Sequence, residues 1–319
     1  MTTNIGLVQH ACASSPDLRF GYSLDDNARA LLVSTGIQGG RENNRILELT
    51  EKYLSFIARS VEGNILHNFL DRDGQFVDEI GSEDSFGRTI WALGSVKKNC
   101  TQPEYLRVAD NILEKVIVNV PSFKALRAKA FSLIGLVLLG EYFVAGKLAE
   151  DLIAGYKANS DCLWHWFEDE LTYSNAIFPY SLLILFKSIP DKRYFEMGIE
   201  SLNFLDQSCR IDGIPAPIGQ RNWFKRGGKR SVYDQQLIDA ADMVLAAKVA
   251  YSLTSDKRYA QMADDWIRWF HGVNINRISL FDAKTEGCYD ALTKGGVNLN
   301  QGAESILAYL LALTETSNS

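Results

Sequence analysis

Gly21-Tyr-Ser-Leu-Asp-Asp-Asn-Ala-Arg-Ala-Leu-Leu32 decides the fold, because its order of acids, amides, then small and aliphatic residues returns down the chain. It comes back as Glu83-Asp-Ser-Phe-Gly-Arg-Thr-Ile-Trp-Ala-Leu93 and as Glu168-Asp-Glu-Leu-Thr-Tyr-Ser-Asn-Ala-Ile177. Two more copies are Tyr233-Asp-Gln-Gln-Leu-Ile-Asp-Ala-Ala-Asp242 and Asn298-Leu-Asn-Gln-Gly-Ala-Glu-Ser-Ile-Leu307. A plainer one, Ala130-Phe-Ser-Leu-Ile-Gly-Leu-Val-Leu-Leu139, fills the widest gap. Six copies, each opening a unit of roughly 45–65 residues, describe an array of one supersecondary element.

Between the copies lie amphipathic helices. Tyr105, Val108, Ala109, Ile112, Leu113 and Val116 form an i, i+3, i+4, i+7 stripe with Glu104, Arg107 and Glu114 off it. Tyr53 with Phe56, Leu148 with Leu152, Leu202 with Leu205, and Met262 with Trp266 repeat that stripe elsewhere. The helices opened by the repeated phrases are instead apolar or small nearly all round, as in Phe131 to Leu139 and Ile177 to Leu185. A helix apolar on every side is buried on every side. Buried helices alternating with half-buried ones predict an all-α chain, an (α/α)6 barrel of six helical hairpins forming a single domain over residues 1–319. Eleven or twelve helices are expected, the inner ones beginning near Asp26, Asp84, Ala125, Ser174, Gln235 and Asn300. Short hairpins are predicted over the Asp71-Arg-Asp-Gly74 turn and within Phe281 to Asp290, and a Pro/Gly-rich loop over Arg210 to Gly219.

Composition narrows the function. With 46% hydrophobic and 23% charged residues the chain is an ordinary globular one. A net charge of −6 and a pI near 5.4 argue against nucleic acid, which needs a clustered basic face. The one basic stretch, Lys225-Arg-Gly-Gly-Lys-Arg230, is short and reads as a loop. No apolar run reaches the ~18 residues of a membrane helix, and no secretory leader is visible, so no membrane partner and a cytoplasmic setting are expected. The five scattered cysteines are odd in number and form no CxxC pair, which predicts reduced thiols and neither metal nor cofactor.

The repeated polar phrases stand at the N-terminal ends of the inner helices, which in a ring of hairpins open onto one mouth. Helix capping explains one acid per helix. It does not explain the doublets Asp25-Asp26, Glu83-Asp84 and Glu168-Asp169, or the amides Asn27, Asn175, Gln235, Gln236, Asn300 and Gln301. Carboxylates and amides flanked by aromatics suit a sugar, whose hydroxyls need donors and acceptors and whose ring faces rest on aromatic planes. Trp164, Trp166 and Trp223 are the candidate platforms, and Tyr173, Arg29, Arg88 and Glu304 complete the expected pocket. Glycoside hydrolysis needs two carboxyls, one donating a proton and one serving as base or nucleophile. Asp84, Asp234, Glu83 and Glu168 are the expected catalytic acids, with Glu168 or Glu83 protonated and Asp84 or Asp234 ionised. Arg29 rules out a DDxxD metal box at Asp25-Asp26, and no GxGxxG, Walker, HExxH or GxSxG element is present.

Six phrases in order, Gly6-Leu-Val-Gln-His-Ala11, Gly21 to Ala30, Ser82 to Gly94, Leu171 to Ala176, Tyr233 to Gln236 and Gly296 to Ser305, resemble the bacterial glycosidase-related proteins often found as the C-terminal region of family 4 glycosyltransferases. The resemblance implies a six-hairpin glycosidase-like toroid, and a glycosyltransferase as a partner. Ser174 stands where those proteins commonly have Asp, and Phe86 where they commonly have His. The leading expectation is a glycosidic-bond-cleaving enzyme acting on an oligosaccharide or glycoside, with water or phosphate as acceptor. The rivals are a non-catalytic glycan-binding module and a sugar epimerase or isomerase, the latter typically working with a histidine pair on this fold.

Overall fold

The computed structural model describes residues 1–38 and 43–314. Among these residues eleven α-helices follow one another: α1 (Leu24–Gln38), α2 (Asn44–Arg59), α3 (Glu83–Asn99), α4 (Pro103–Val116), α5 (Leu126–Leu139), α6 (Tyr142–Asn159), α7 (Ile177–Ser188), α8 (Lys192–Ser208), α9 (Leu237–Thr254), α10 (Lys257–Phe270) and α11 (Ala303–Thr314). The odd-numbered helices are those opened by the repeated phrases, and each starts within a few residues of its predicted position. Their burial follows the sequence pattern. Every residue of α3 from Ser85 to Val96 is buried, whereas α4 buries only Tyr105, Ala109, Ile112, Leu113 and Val116. In α11 the covering is thinner than expected: Leu310 is 36% exposed, and no helix follows it among the described residues.

By internal packing the chain divides into two compact units, 1–148 and 149–317. In the first, α1 packs on α2 and α3, and α3 packs on α5. Glycines let α3 and α5 approach closely. A Cβ added to Gly135 would lie 2.5 Å from the Ile90 carbonyl oxygen, and one on Gly94 would lie 2.7 Å from that of Gly135. Backbone on both sides leaves nothing to yield, so Gly135→Ala is expected to destabilise the chain by roughly 1–3 kcal/mol. Urea unfolding measures this, and an unchanged midpoint would contradict the close seam. The start of α5 has no cap of its own; Glu83 Oε2 accepts from the Lys124 and Ala125 amides, both at 2.7 Å. Glu83, expected to be catalytic, therefore caps a neighbouring helix.

In the second unit α7 packs on α8 and α9, and α9 on α10 and α11. Asp191 and Asp256 cap α8 and α10 by accepting from the amides two residues on.

Strands are short ribbons in the loops. Phe69–Leu70 pairs with Tyr22–Ser23, so the predicted hairpin over Asp71 reduces to one bridge, Leu70 to Phe76. Asp71 Oδ1 closes that turn by accepting from the Asp73 and Gln75 amides. Arg210–Ile211 pairs with Ile214–Pro215, making a hairpin where a loop was expected. Asp212 and Gly213 both take positive φ there, which a tight two-residue hairpin turn requires. Phe281–Asp282 pairs with Gly287–Cys288 as predicted. The basic stretch is a clamp on carbonyls: Arg230 donates to Ser208 and Ala216 at 2.6 Å, and Arg226 to Asn159 at 2.8 Å.

The five cysteines are free thiols. Burial pushes those of Cys209 and Cys288 up to about 12, which makes them inert.

Candidate active site

In the unit 1–148 the phrase at α1 builds a compact ionic group. Ser23 accepts from the Asp26 amide at 3.1 Å and donates its hydroxyl to Asp26 Oδ2 at 2.5 Å, closing the first turn. Arg29, 6% exposed, reaches Asp26 at 3.1 Å and Asp25 at 3.6 Å. Arg88, 3% exposed, donates from one Nη to both oxygens of Asp25 at 2.8 and 3.0 Å, while its guanidinium carbon lies 4.2 Å from the Phe131 ring centre. Burial pushes the Asp25 carboxyl up, but the Arg88 and Arg29 charges outweigh it and hold the group below its ordinary value. The sequence expected these arginines to keep acids ionised, and for Asp25 they do. Asp84 sits half-buried in the first turn of α3.

Asn27 was expected to face substrate and does not. Fully buried, it accepts from the Leu7 amide at 2.8 Å and donates to the Leu7 and Ser23 carbonyls. It fastens the N-terminal segment to α1, and Gly6 is needed because a Cβ there would lie 2.7 Å from the Asn27 oxygen.

The unit 149–317 holds a different cluster. Asp239 and Asp242 lie one turn apart on α9, 6% and 3% exposed, inside a helix otherwise buried from Leu237 to Ala247. Asp242 accepts the hydroxyl of Ser174, which has a positive φ just ahead of α7. Neither oxygen of Asp239 has a hydrogen-bond partner. Burial raises its carboxyl well above the ordinary value, and the negative charges of Asp242 and Glu304 add to this. The amides of Ser174 and Asn175 pull the other way without completing a hydrogen bond. Asp239 is therefore an acid whose neutral form is favoured by its surroundings, while its neighbour Asp242 accepts a hydroxyl hydrogen bond. Glu304 stands half-buried in the first turn of α11. The acid that burial raises here is Asp239. Asp239 and Asp242 were present in the repeated phrase but passed over. The available signal was two acids within an apolar inner helix, since a buried polar residue is the informative exception.

Several expected binding residues have structural occupations here too. Asn175 closes a turn on Thr172, accepting at 3.0 Å and donating at 2.8 Å. Gln235, fully buried, donates to the Val232 carbonyl and accepts from Trp269. Gln301, 4% exposed, bridges Thr285 and Asp282. Trp164 and Trp166 are core residues at 4% and 0% exposure, packed edge-on against Phe204 and Phe178 respectively, so they offer no open face. Tyr173 and Trp223 are the pair left half-exposed, their ring centres 6.2 Å apart. Gln236 and Glu168 are half-buried, Asp169 and Asn300 exposed. Asp234 Oδ2 accepts from Arg221 Nε at 2.9 Å.

No family model and no curated protein sequence matches this chain. Solved structures do. D-mannose isomerase superposes with a TM-score of 0.78 at 11% identity, over 100% of this chain and 93% of that one. Cellobiose 2-epimerase from Bacillus thermoamylovorans gives 0.75 at 12%, over 98% and 93%. An inactive variant of an α-1,6-mannanase from Salegentibacter, in complex with α-1,6-mannotetrose, gives 0.66 at 13%, over 98% and 93%. The chain has the (α/α)6 toroid fold. At such identities the likeness speaks for fold, and the reaction must be argued from the side chains.

Proposed function

We propose that this protein is a carbohydrate-active enzyme that cleaves a glycosidic bond with carboxyl groups. The observation that carries the reading is the pair of buried acids on α9 with unlike surroundings: Asp239 lacks a hydrogen-bond partner and its carboxyl is raised by burial, while Asp242 accepts the Ser174 hydroxyl. Carboxyls set apart by their surroundings are what acid–base chemistry at neutral pH requires. In this reading Asp239 supplies the proton for the leaving oxygen, and Glu304, less deeply buried, is the second carboxyl, acting as base or nucleophile. Asp84, Asp234 and Glu168 remain candidates from the repeated phrases. Tyr173 and Trp223 provide the aromatic face for a sugar ring. Asp239 is closed to solvent, so its use calls for movement of the residues that cover it when substrate enters.

The second reading is epimerisation or isomerisation, the activities named for two of the similar structures. Against it stand the histidines. His10 packs on Phe20, His67 bonds the Asp78 carbonyl and Glu62, His165 meets Glu200, and His271 meets Tyr309. Each has different neighbours and none is paired with another histidine. The third reading, a glycan-binding module, requires a separate catalytic partner such as a glycosyltransferase.

Incubation with a panel of manno-, gluco- and xylo-oligosaccharides, with products separated by chromatography, tests the proposal. Cleavage is expected, with Asp239→Asn and Glu304→Gln each lowering kcat/KM by about 100-fold or more. Wild-type turnover in both variants would remove these residues from the mechanism. Affinity without turnover in the wild-type chain would favour the binding module.

A further inference from the structure

Beside Asp234 lies an open recess of about 410 Å³, lined among others by Gln220, Arg221, Thr293, Lys294 and Asn298. Its walls are held by backbone. The Gln220 amide donates to the Asp234 carbonyl at 3.1 Å, and the Gly219 amide to that of Ser231 at 3.0 Å. A Cβ on Gly219 would lie 2.1 Å from the Tyr233 carbonyl oxygen, so only glycine permits this approach. The opposite wall is the ribbon Ala291–Thr293 with Gly296–Asn298, which pairs with Gln235–Gln236 at the start of α9.

The charge in this recess runs against that of the chain. Arg221 is 73% exposed and uses its Nε on Asp234, leaving both terminal nitrogens uncommitted. Lys294 stands exposed at the tip of the ribbon turn and makes no ion pair among the described residues. Two cations against one carboxylate give a net positive recess in a protein of formal charge −6. Such a local reversal concentrates anions, and a guanidinium with free terminal nitrogens matches a carboxylate or phosphate geometrically. The remaining lining groups, a carboxylate, two amides and a hydroxyl, are the donors and acceptors that sugar hydroxyls require.

We propose that this recess is a subsite for a sugar unit bearing a compact anionic group, a carboxylate or a phosphate ester, held between Arg221 and Lys294. The inference rests on the reading of the protein as carbohydrate-active and narrows its substrate class. NMR-detected titrations of the whole chain with glucose, glucuronate, glucose 6-phosphate and inorganic phosphate test it, at low salt and at high salt.

At least one anionic sugar should bind about tenfold tighter than glucose, with the gap shrinking at high salt. Arg221→Gln and Lys294→Gln should each abolish about tenfold of that affinity and leave glucose binding unchanged. Both side chains are exposed, so a folding defect does not confuse the result. Preference for glucuronate identifies a carboxylate, and preference for glucose 6-phosphate identifies a phosphate ester. Equal binding of glucose and both anionic sugars overturns the proposal. So does inorganic phosphate binding as tightly as the phosphorylated sugar, which would mark a mere anion site. If anionic sugars bind here but no oligosaccharide is cleaved, the subsite stands and the cleavage reading falls. Cleavage with no preference for anions gives the reverse.

Discussion

Asp239→Asn is expected to lower cleavage about 100-fold or more and, at pH 7, to be more stable than the wild-type chain. The carboxyl is almost fully buried, lacks a hydrogen-bond partner, and faces the charges of Asp242 and Glu304. Its folded pKa lies well above the unfolded value. Below about pH 3.9 the group is protonated in both states and imposes no penalty. As pH rises from there the unfolded chain releases the proton first, and stability falls by about 1.4 kcal/mol per pH unit until the folded pKa is passed. An uncharged Asn escapes this, so a gain on the order of 1–2 kcal/mol is expected at pH 7, vanishing as pH falls toward 4. Denaturant midpoints at pH 4 and pH 7 measure it. A variant less stable than wild type at pH 7 would show that Asp239 is a satisfied core group.

Replacing Arg88 by Gln should have the opposite sign and the larger size. The guanidinium is buried between Asp25 and the Phe131 ring, and its loss leaves the Asp25 carboxylate with only the more distant Arg29. Breaking such a pair costs about 3 kcal/mol at neutral pH. The folded pKa of Asp25 is depressed, so its contribution is present above about pH 3.9 and is lost as pH falls through the folded value. The penalty of Arg88→Gln should therefore shrink under acid. Equal penalties at pH 7 and pH 3 would mean that packing on Phe131, rather than charge, is what Arg88 supplies.

The fold was legible because burial imposes a pattern. Helices apolar all round, such as Ile177 to Leu185, could only be inner ones, and the stripe from Tyr105 to Val116 could only face one way. The pairing of Arg88 with Asp25 was half legible, since charges predict attraction but not which acid of Asp25, Asp26, Glu83 and Asp84 is met. What stayed hidden was the division of labour among polar residues of the same type. Asn27 and Asn175 close backbone hydrogen bonds that depend on where Leu7 and Thr172 run, and Glu83 caps a helix more than 40 residues on. Spacing along the chain carries none of that. Asp239 was missed for a related reason: the polar phrase around Asp234 lies in the loop, while the carboxyl made unusual by its surroundings lies in the first turn of α9.

The central claim, carboxyl-based cleavage of a glycosidic bond, is tested most directly by proton NMR of the protein with the oligosaccharide panel in D2O. Epimerisation or isomerisation through proton abstraction beside the carbonyl exchanges the C2 hydrogen of the reducing sugar for deuterium, whereas bond cleavage does not touch it. New reducing-end anomeric signals should grow with time while C2 hydrogen intensity is kept. Loss of that intensity with every glycosidic linkage intact would contradict it.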